Sequence, residues 1–594
     1  MSVAMTTGET IQEARRLEQA PPPSLRRVRV AIVSTFTAEF LRPYLIVAGA
    51  QRGLLVQPVF GPYGQLEQEL FNAASGALSS APDVVLIASR LEDLAPALVD
   101  HAVGLDGRDV EGALQQTVAR IEALALGLRR VSTAPLFVFN AVEPKLLPLG
   151  LASTLHLPST SAVVEQFNAA LAALARRQTG VFVFDVSRVA LEVGLENWAD
   201  PKLQYMARVP YGASGARAIA QRLARYVRAT VSPPCKCLVL DLDNVLWGGV
   251  LGEDLMAGIK LGADYPGNVF RAFQRQVLAL RERGILLAIA SKNDEADARQ
   301  VLERHPDSLL RPEHFAAMQI HWQDKATSLR AIARDLNIGT DALAFFDDNP
   351  VERQWVKSQL PEVVVIAVPE SPLGYAAALD ESGAFDQLQV IEEDARRAAM
   401  YGEERQREVV RQRTPGVDEF LHDLGTRLRI GQVGADVLPR VVQLLGKTNQ
   451  FNLTTRRHGA GELQRLLDDG AVAMWLRAAD RFGDHGLVGV AIAVPGPEGA
   501  WRIDTLLLSC RVLGRRIEDA FLATLRMAVK SRGGRQLIGE YLPTAKNHIV
   551  ADFYRDRGFE DLGGGTWRMP LGADASAPTP SISVEFAENF IMGE

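Results

Sequence analysis

A chain of 594 residues has room for three or four domains, and 47% hydrophobic with 23% charged residues is the make-up of a globular protein. A net charge of −7 leaves no basic excess to neutralise a nucleic-acid backbone, and no long uncharged apolar run suggests a membrane span. Three cysteines without a framework spacing argue against disulfides, so a cytoplasmic setting is expected.

Residues 1–26 are polar, contain Pro21-Pro22-Pro23 and show no signal-peptide core, so they are expected to be a mobile leader. Apolar runs at 29–34, 54–60, 83–88, 135–139 and 180–184 read as strands. Helical spacing lies between them at 40–52 and 114–128, and a closing helix is predicted at 208–228. Strands alternating with helices predict a doubly wound α/β domain over 27–232, ending at the turn Ser232-Pro233-Pro234. Its polar candidates are Ser34, Asn140 and Asp200.

The stretch 236–254, KCLVLDLDNVLWGGVLGED, organises the next domain, 233–372. Its apolar run, 237–240, reads as a buried parallel strand and ends on Asp241 and Asp243. Ligands bind beyond the carboxyl ends of such strands. A helix at 268–283 leads to a strand at 285–290 that ends in Ser291-Lys292-Asn293. After a helix at 294–303, Lys325 begins another. A strand at 342–346 ends on Asp347-Asp348, and 363–368 reads as a fourth strand. The space between Asp243 and Ser291 leaves no room for a large cap domain, so the site is expected to be open to bulky substrates, such as a group carried on a protein.

The order Asp-Leu-Asp, Ser, Lys, Asp-Asp resembles the haloacid dehalogenase (HAD) superfamily, with its parallel-sheet, Rossmannoid fold. The resemblance implies that Asp241 is a nucleophile forming an aspartyl-phosphate, and Asp243 its general acid and base. Two carboxylates facing a phosphate would repel it, and a Mg²⁺ ion resolves this. Asp241, the backbone carbonyl of Asp243 and an acid from Asp347-Asp348 would hold the ion. Adjacent strand residues point opposite ways, so only one of that pair is expected to bind directly, with Asp347 favoured. Ser291, Lys292 and Lys325 are the expected phosphate-binding residues, Lys325 with a catalytic charge. For Asn293 a helix N-cap role is an equal alternative.

Residues 373–415 read as a helical connector, through the charged stretch at 388–410. The domain 416–572 carries the basic cluster KTNQFNLTTRR, strands at 473–478, 486–493 and 501–508, and a long helix after Leu508. The turn between them, from Ser509 to Arg516, resembles the pyrophosphate-binding turn of GNAT acyltransferases, with Arg511 and Gly514 in place and Arg516 where that pattern has a small residue. The segment 541–559 resembles the later GNAT strand and helix, with Tyr554. An α+β domain binding a pantetheine arm through Arg511, Gly514, His485 and Tyr554 is implied. Cys510, beside Arg511 and a helix start, is the expected acyl-carrying thiol, and His485 a possible base. Cys237 lies in an apolar strand, and Cys235 has no positional argument. Residues 573–594 read as a linker and tail of unknown use.

In the first domain, VFGPYGQLEQEL and FVFNAVEP resemble the SGNH-hydrolase-like domain of long FkbH-like proteins. Such hydrolases place a His three residues after the Asp. Leu203 stands there after Asp200, so this domain is expected to be non-hydrolytic. Together with FFDDNPVER, LGKTNQFNLTTRR, DRFGDHG and LLSCRVLGR, the chain resembles the FkbH-like glyceryl transferase/phosphatase family. That implies dephosphorylation of a phosphorylated three-carbon acid, 1,3-bisphosphoglycerate. The glyceryl group would then pass through an enzyme thioester to the phosphopantetheine of an acyl carrier protein in polyketide-type biosynthesis. The alternative is a HAD phosphatase with a non-catalytic GNAT-like module.

Overall fold

A computed structural model of the chain describes all residues except 1–4, 101–105, 156–157, 390–418, 420–422, 510–511, 545, 573–581, 589 and 591–594. The chain forms two compact units, one of residues 1–232 with 458–465, the other of 233–457 with 466–594.

In the first unit five parallel strands, β1 (Arg26–Ser34), β2 (Leu54–Phe60), β3 (Val84–Ala88), β4 (Leu136–Phe139) and β5 (Val181–Phe184), lie in the order β2-β1-β3-β4-β5. β1, β3 and β4 have apolar cores because a parallel sheet is covered on both faces. The long helix Gly107–Val131 buries Leu114, Ile121, Leu124 and Leu128 at helical spacing.

The expected mobile leader is instead largely a helix, Thr7–Gln19, closed by a capping box between Thr6 and Glu9. Its polar composition hides one buried face, Thr10, Ala14 and Leu17, of which the last two pack against Ile46 and Val47. Leu17→Ala should therefore cost about 2–4 kcal/mol in denaturant unfolding, a cost that a free leader would not show.

The second unit holds two sheets. Strands β6 (Cys237–Leu240), β7 (Leu286–Ser291), β8 (Ala317–Ile320), β9 (Leu343–Phe346) and β10 (Val364–Val365) form a parallel sheet in the order β10-β9-β6-β7-β8. β6, β7 and β9 are buried throughout. β10 is only two residues long, against six expected. Only the short helix Leu251–Gly258 separates the β6 turn from the helix Gly267–Glu282, so no cap domain is inserted at this point of the chain. The domain also runs past its expected end. The helix Tyr375–Glu381 packs Tyr375 and Leu379 into its core, and Cys235 N–H donates to Ala384 O at 2.8 Å. The rest of the expected connector, 390–415, lies outside the described residues.

The other sheet has nine strands: β11 (Arg427–Gln432), β12 (Phe451–Asn452), β13 (Val472–Asp480), β14 (Gly483–Pro495), β15 (Ala500–Leu508), β16 (Gln536–Glu540), β17 (Glu560–Gly563), β18 (Thr566–Pro570) and β19 (Ser583–Phe586). Its order is β17-β18-β16-β15-β14-β13-β11-β19, with β12 on β15. β13 and β14 meet in a tight hairpin at Arg481 and Phe482. The expected tail thus supplies an edge strand, β19, parallel to β11; alternating Ile582, Val584 and Phe586 follow the Pro/Ser/Ala run. The strand and helix expected over 541–559 form, among the described residues, only the short 3₁₀ turns His548–Val550 and Arg555–Arg557. Asn547 competes with a helical ladder there: its side chain accepts from Thr544 N–H at 2.7 Å and donates to the carbonyls of Asn452 and Leu542 at 2.9 Å each.

Candidate active site

Beyond Leu240 the chain turns sharply at the carboxyl edge of the sheet. Asn244 adopts a left-handed φ of +54°. Its side chain accepts from Gly249 N–H at 2.9 Å and its carbonyl from the Tyr375 hydroxyl at 3.0 Å. Gly249 closes this flap with a φ of +101°, where a Cβ would come within 2.5 Å of Asp254 Oδ2.

Asp241 Oδ1 accepts from Lys325 Nζ and from Leu242 N–H, both at 2.8 Å. Lys325, the first residue of the helix Lys325–Asp335, is only 2% exposed. Its ammonium also donates to Ala290 O at 2.6 Å and lies 3.2 Å from Asp347 Oδ2. Burial pulls the Lys325 pKa down, but Asp241 and Asp347 more than reverse this and raise it. Asp347 is fully buried, with Oδ1 accepting from Asn349 N–H at 2.8 Å and Oδ2 without a directed hydrogen bond. Burial first, then the charge of Asp241, pushes its carboxyl up to about 6 despite Lys325. Asp348 is raised in the same way, by burial and then by Asp241.

One oxygen from each of Asp241, Asp347 and Asp348 lies within 4.8 Å of the others. Three carboxylates against one ammonium leave an excess of negative charge, and an all-oxygen donor set fits a hard divalent cation. Both Asp347 and Asp348 bring an oxygen to this point; that only one of them, Asp347, holds the ion directly stays a proposal. β9 ends at Phe346, so strand alternation no longer applies. Arg353 folds the turn by donating to the carbonyls of Asp347 and Asp348 at 2.6 and 2.7 Å.

The Asp243 carboxylate is not in that cluster. Its Oδ1 accepts from Trp247 Nε1 at 2.9 Å and Leu251 N–H at 3.1 Å, and its Oδ2 from Asn293 Nδ2 at 2.9 Å. Ser291 is buried at the end of β7, its Oγ 3.4 Å from Asn293 Nδ2. Lys292, expected to bind phosphate, is committed to an ion pair with Glu352. Nor does Asn293 cap the next helix: Asp294 does, accepting from Ala296 and Asp297 N–H. Trp247 is the site residue that sequence reasoning missed, because inside VLWGG it reads simply as core. The sequence leaves Asn293 with a cap role as its equal alternative, and the cap-forming Asp294 beside it was the signal that could have decided it.

The other candidates do not assemble in this way. Ser34 Oγ donates to Phe36 O at 2.7 Å, Asn140 Nδ2 to Asp185 Oδ1 at 2.7 Å, and Asp200 caps the helix Pro201–Ala207. Ser34 and Asp200 serve their own loops, and Asn140 ties the end of β4 to the turn after β5. In the large sheet Gly514 has a φ of +75°, and Arg516 enters the helix Ile517–Lys530 with a φ of +55°. His485 is enclosed rather than open to a substrate: its Nε2 lies 2.9 Å from Asp480 Oδ2 and 2.9 Å from Arg515 Nη1. Tyr554, expected at an acyl site, is a core residue 1% exposed and packed against Phe553 and Phe559, because Gly539 leaves space for its ring. Cys235 and Cys237 are buried, and burial followed by Cys235 pushes the Cys237 thiol well up. Cys510 and Arg511 lie outside the described residues.

No protein-family model and no curated protein matches the chain. Among solved structures it is similar to the N-terminal part of the protein BF1531 from Bacteroides fragilis, which contains a phosphatase domain and is complexed with Mg. The identity is 24% and the TM-score 0.56, covering 65% of this chain and 100% of that one. This is a likeness of fold. It is also similar to an acetyltransferase of the GNAT family from Staphylococcus aureus Mu50, at 12% identity and a TM-score of 0.20, covering 24% of this chain and 99% of that one. The ribosomal-protein-S18-alanine N-acetyltransferase from Escherichia coli matches at 13% identity and a TM-score of 0.20, covering 25% of this chain and 96% of that one.

Proposed function

We propose that residues 233–389 form a Mg²⁺-dependent phosphatase domain, and that the whole chain couples it to transfer of a glyceryl group. The observation that carries the first part is the convergence of Asp241, Asp347 and Asp348 beside the buried Lys325. These three carboxylates would hold Mg²⁺, which when bound neutralises them and draws in a phosphate.

The chain's own groups do the rest. Among the described residues, both polar contacts of the Asp241 carboxylate with the protein fall on Oδ1, so Oδ2 is the oxygen left for attack on phosphorus. Lys325 holds Asp241 in place and supplies positive charge where the transition state is most anionic. Asp243 gives a proton to the leaving oxygen and takes one from the water that hydrolyses the aspartyl-phosphate. Ser291 donates to a phosphoryl oxygen.

The absence of a cap domain supports a bulky or protein-borne substrate. The FkbH-like motifs support 1,3-bisphosphoglycerate, a thioester on Cys510 and an acyl carrier protein as acceptor, in a cytoplasmic polyketide-type pathway. The enclosure of His485 and Tyr554 favours a second reading, in which the domain is a phosphatase and the C-terminal part is not catalytic. Intact-mass measurement after incubation with 1,3-bisphosphoglycerate and Mg²⁺ separates them. The first reading predicts one glyceryl adduct, lost in Cys510→Ala; phosphate release without any adduct supports the second. If no Mg²⁺-dependent phosphate release occurs, both fail. Metal removal should stop phosphate release reversibly. Mg²⁺ at a hundred times its Kd should stabilise the protein by about 2.7 kcal/mol, read as a rise in Tm.

A further inference from the structure

Two side chains of the second unit have hydrogen-bonding groups committed to the acid/base carboxylate. Trp247 is fully buried, and its indole N–H is a donor that needs a partner when it leaves water. It finds Asp243 Oδ1. Asn293, 5% exposed, reaches Asp243 Oδ2 from the end of β7. The flap that carries Trp247 is itself anchored. The buried Gln274 donates to Leu246 O at 2.8 Å and accepts from Leu309 and Leu310 N–H at 2.8 and 3.1 Å.

The two carboxylate oxygens are loaded unequally. Oδ1 accepts from both Trp247 Nε1 and Leu251 N–H, which fills its two lone-pair directions. Among the described residues, Oδ2 accepts from Asn293 alone. A proton arriving on Oδ1 would have to displace a donor; on Oδ2 a lone pair remains. Asn293 must present its amide nitrogen, since its carbonyl would face an ionised carboxylate. The other hydrogen of that nitrogen is within reach of Ser291 Oγ, at 3.4 Å.

Resting on the phosphatase reading above, we propose that Trp247 and Asn293 are positioning residues that lock Asp243 in one orientation and assign Oδ2 as the oxygen that exchanges the proton. Asn293 thereby ties the acid/base group to the residue that contacts the phosphoryl oxygens.

The test compares kcat/KM of Trp247→Phe and Asn293→Ala on two phosphate monoesters, with Mg²⁺ present. An alkyl phosphate has a poor leaving group that needs a proton; p-nitrophenyl phosphate has a good one that does not. General acid catalysis contributes about 10²–10⁴-fold. Each variant should lose about 10-fold or more on the alkyl phosphate and less than about 3-fold on the aryl phosphate. Equal losses on both esters, or no loss on either, would overturn the proposal, because a merely structural role does not read the leaving group. If Trp247→Phe does not fold, Asn293→Ala decides the matter alone. A wild-type protein that hydrolyses neither ester and releases no phosphate from 1,3-bisphosphoglycerate would overturn the phosphatase reading itself, and the role of Trp247 and Asn293 with it.

Discussion

Asp241→Asn should reduce phosphate release by about 10⁴-fold or more, since the proposed nucleophile is gone and no neighbour replaces it. The fold should survive. Asparagine keeps an oxygen for the two donors that Asp241 Oδ1 now serves, Leu242 N–H and Lys325 Nζ. The substitution also removes the charge that helps to push Asp347 and Asp348 up. An unchanged unfolding curve with lost turnover is the expected pair of results. A residual rate within tenfold of wild type would mean that the nucleophile lies elsewhere.

Lys325→Ala should damage both stability and turnover. Its ammonium sits between Ala290 O, Asp241 and Asp347 with almost no exposure to water. Removing one partner of a buried ion pair leaves uncompensated charge and costs about 3–5 kcal/mol. In metal-free denaturant unfolding the variant should therefore lose about that much. Mg²⁺ should restore more stability to the variant than it adds to the wild type, because the carboxylates then have no other cation. Turnover should fall by about 10²–10³-fold even with saturating Mg²⁺. Arginine should not rescue it: a planar guanidinium is too broad for a position that holds a compact ammonium.

Much of this site is legible in the sequence because it is built on strand ends. An apolar run that stops on Asp241, and another that stops on Asp347, mark where buried strands end. Lys325 is legible only through its order among the other motifs; its burial depends on β6, β7 and β9 meeting around it. Asp348 reaches the same point as Asp347 because alternation applies only inside a strand, and β9 ends at Phe346. Side chains that reach across the fold are hidden for a related reason. Asn293 looks like a cap until Asp294 takes that role, and Lys292 looks like a phosphate ligand until Glu352, sixty residues on, claims it. The N-terminal helix was obscured by composition: its buried face, with Leu17 and Ala14, has too little apolar content to stand out from a polar stretch. In the C-terminal sheet, local pattern placed β13, β14 and β15, while the side-chain bonds of Asn547 defeated the helix expected after β16.

The most direct test is calorimetric titration of Mg²⁺ into the metal-free wild-type chain and into an Asp347→Asn/Asp348→Asn double variant. The convergence of acids from β6 and β9 predicts one ion per wild-type chain and loss of that binding in the variant. Binding that survives the double substitution, or a wild-type chain that takes up no ion, would contradict it.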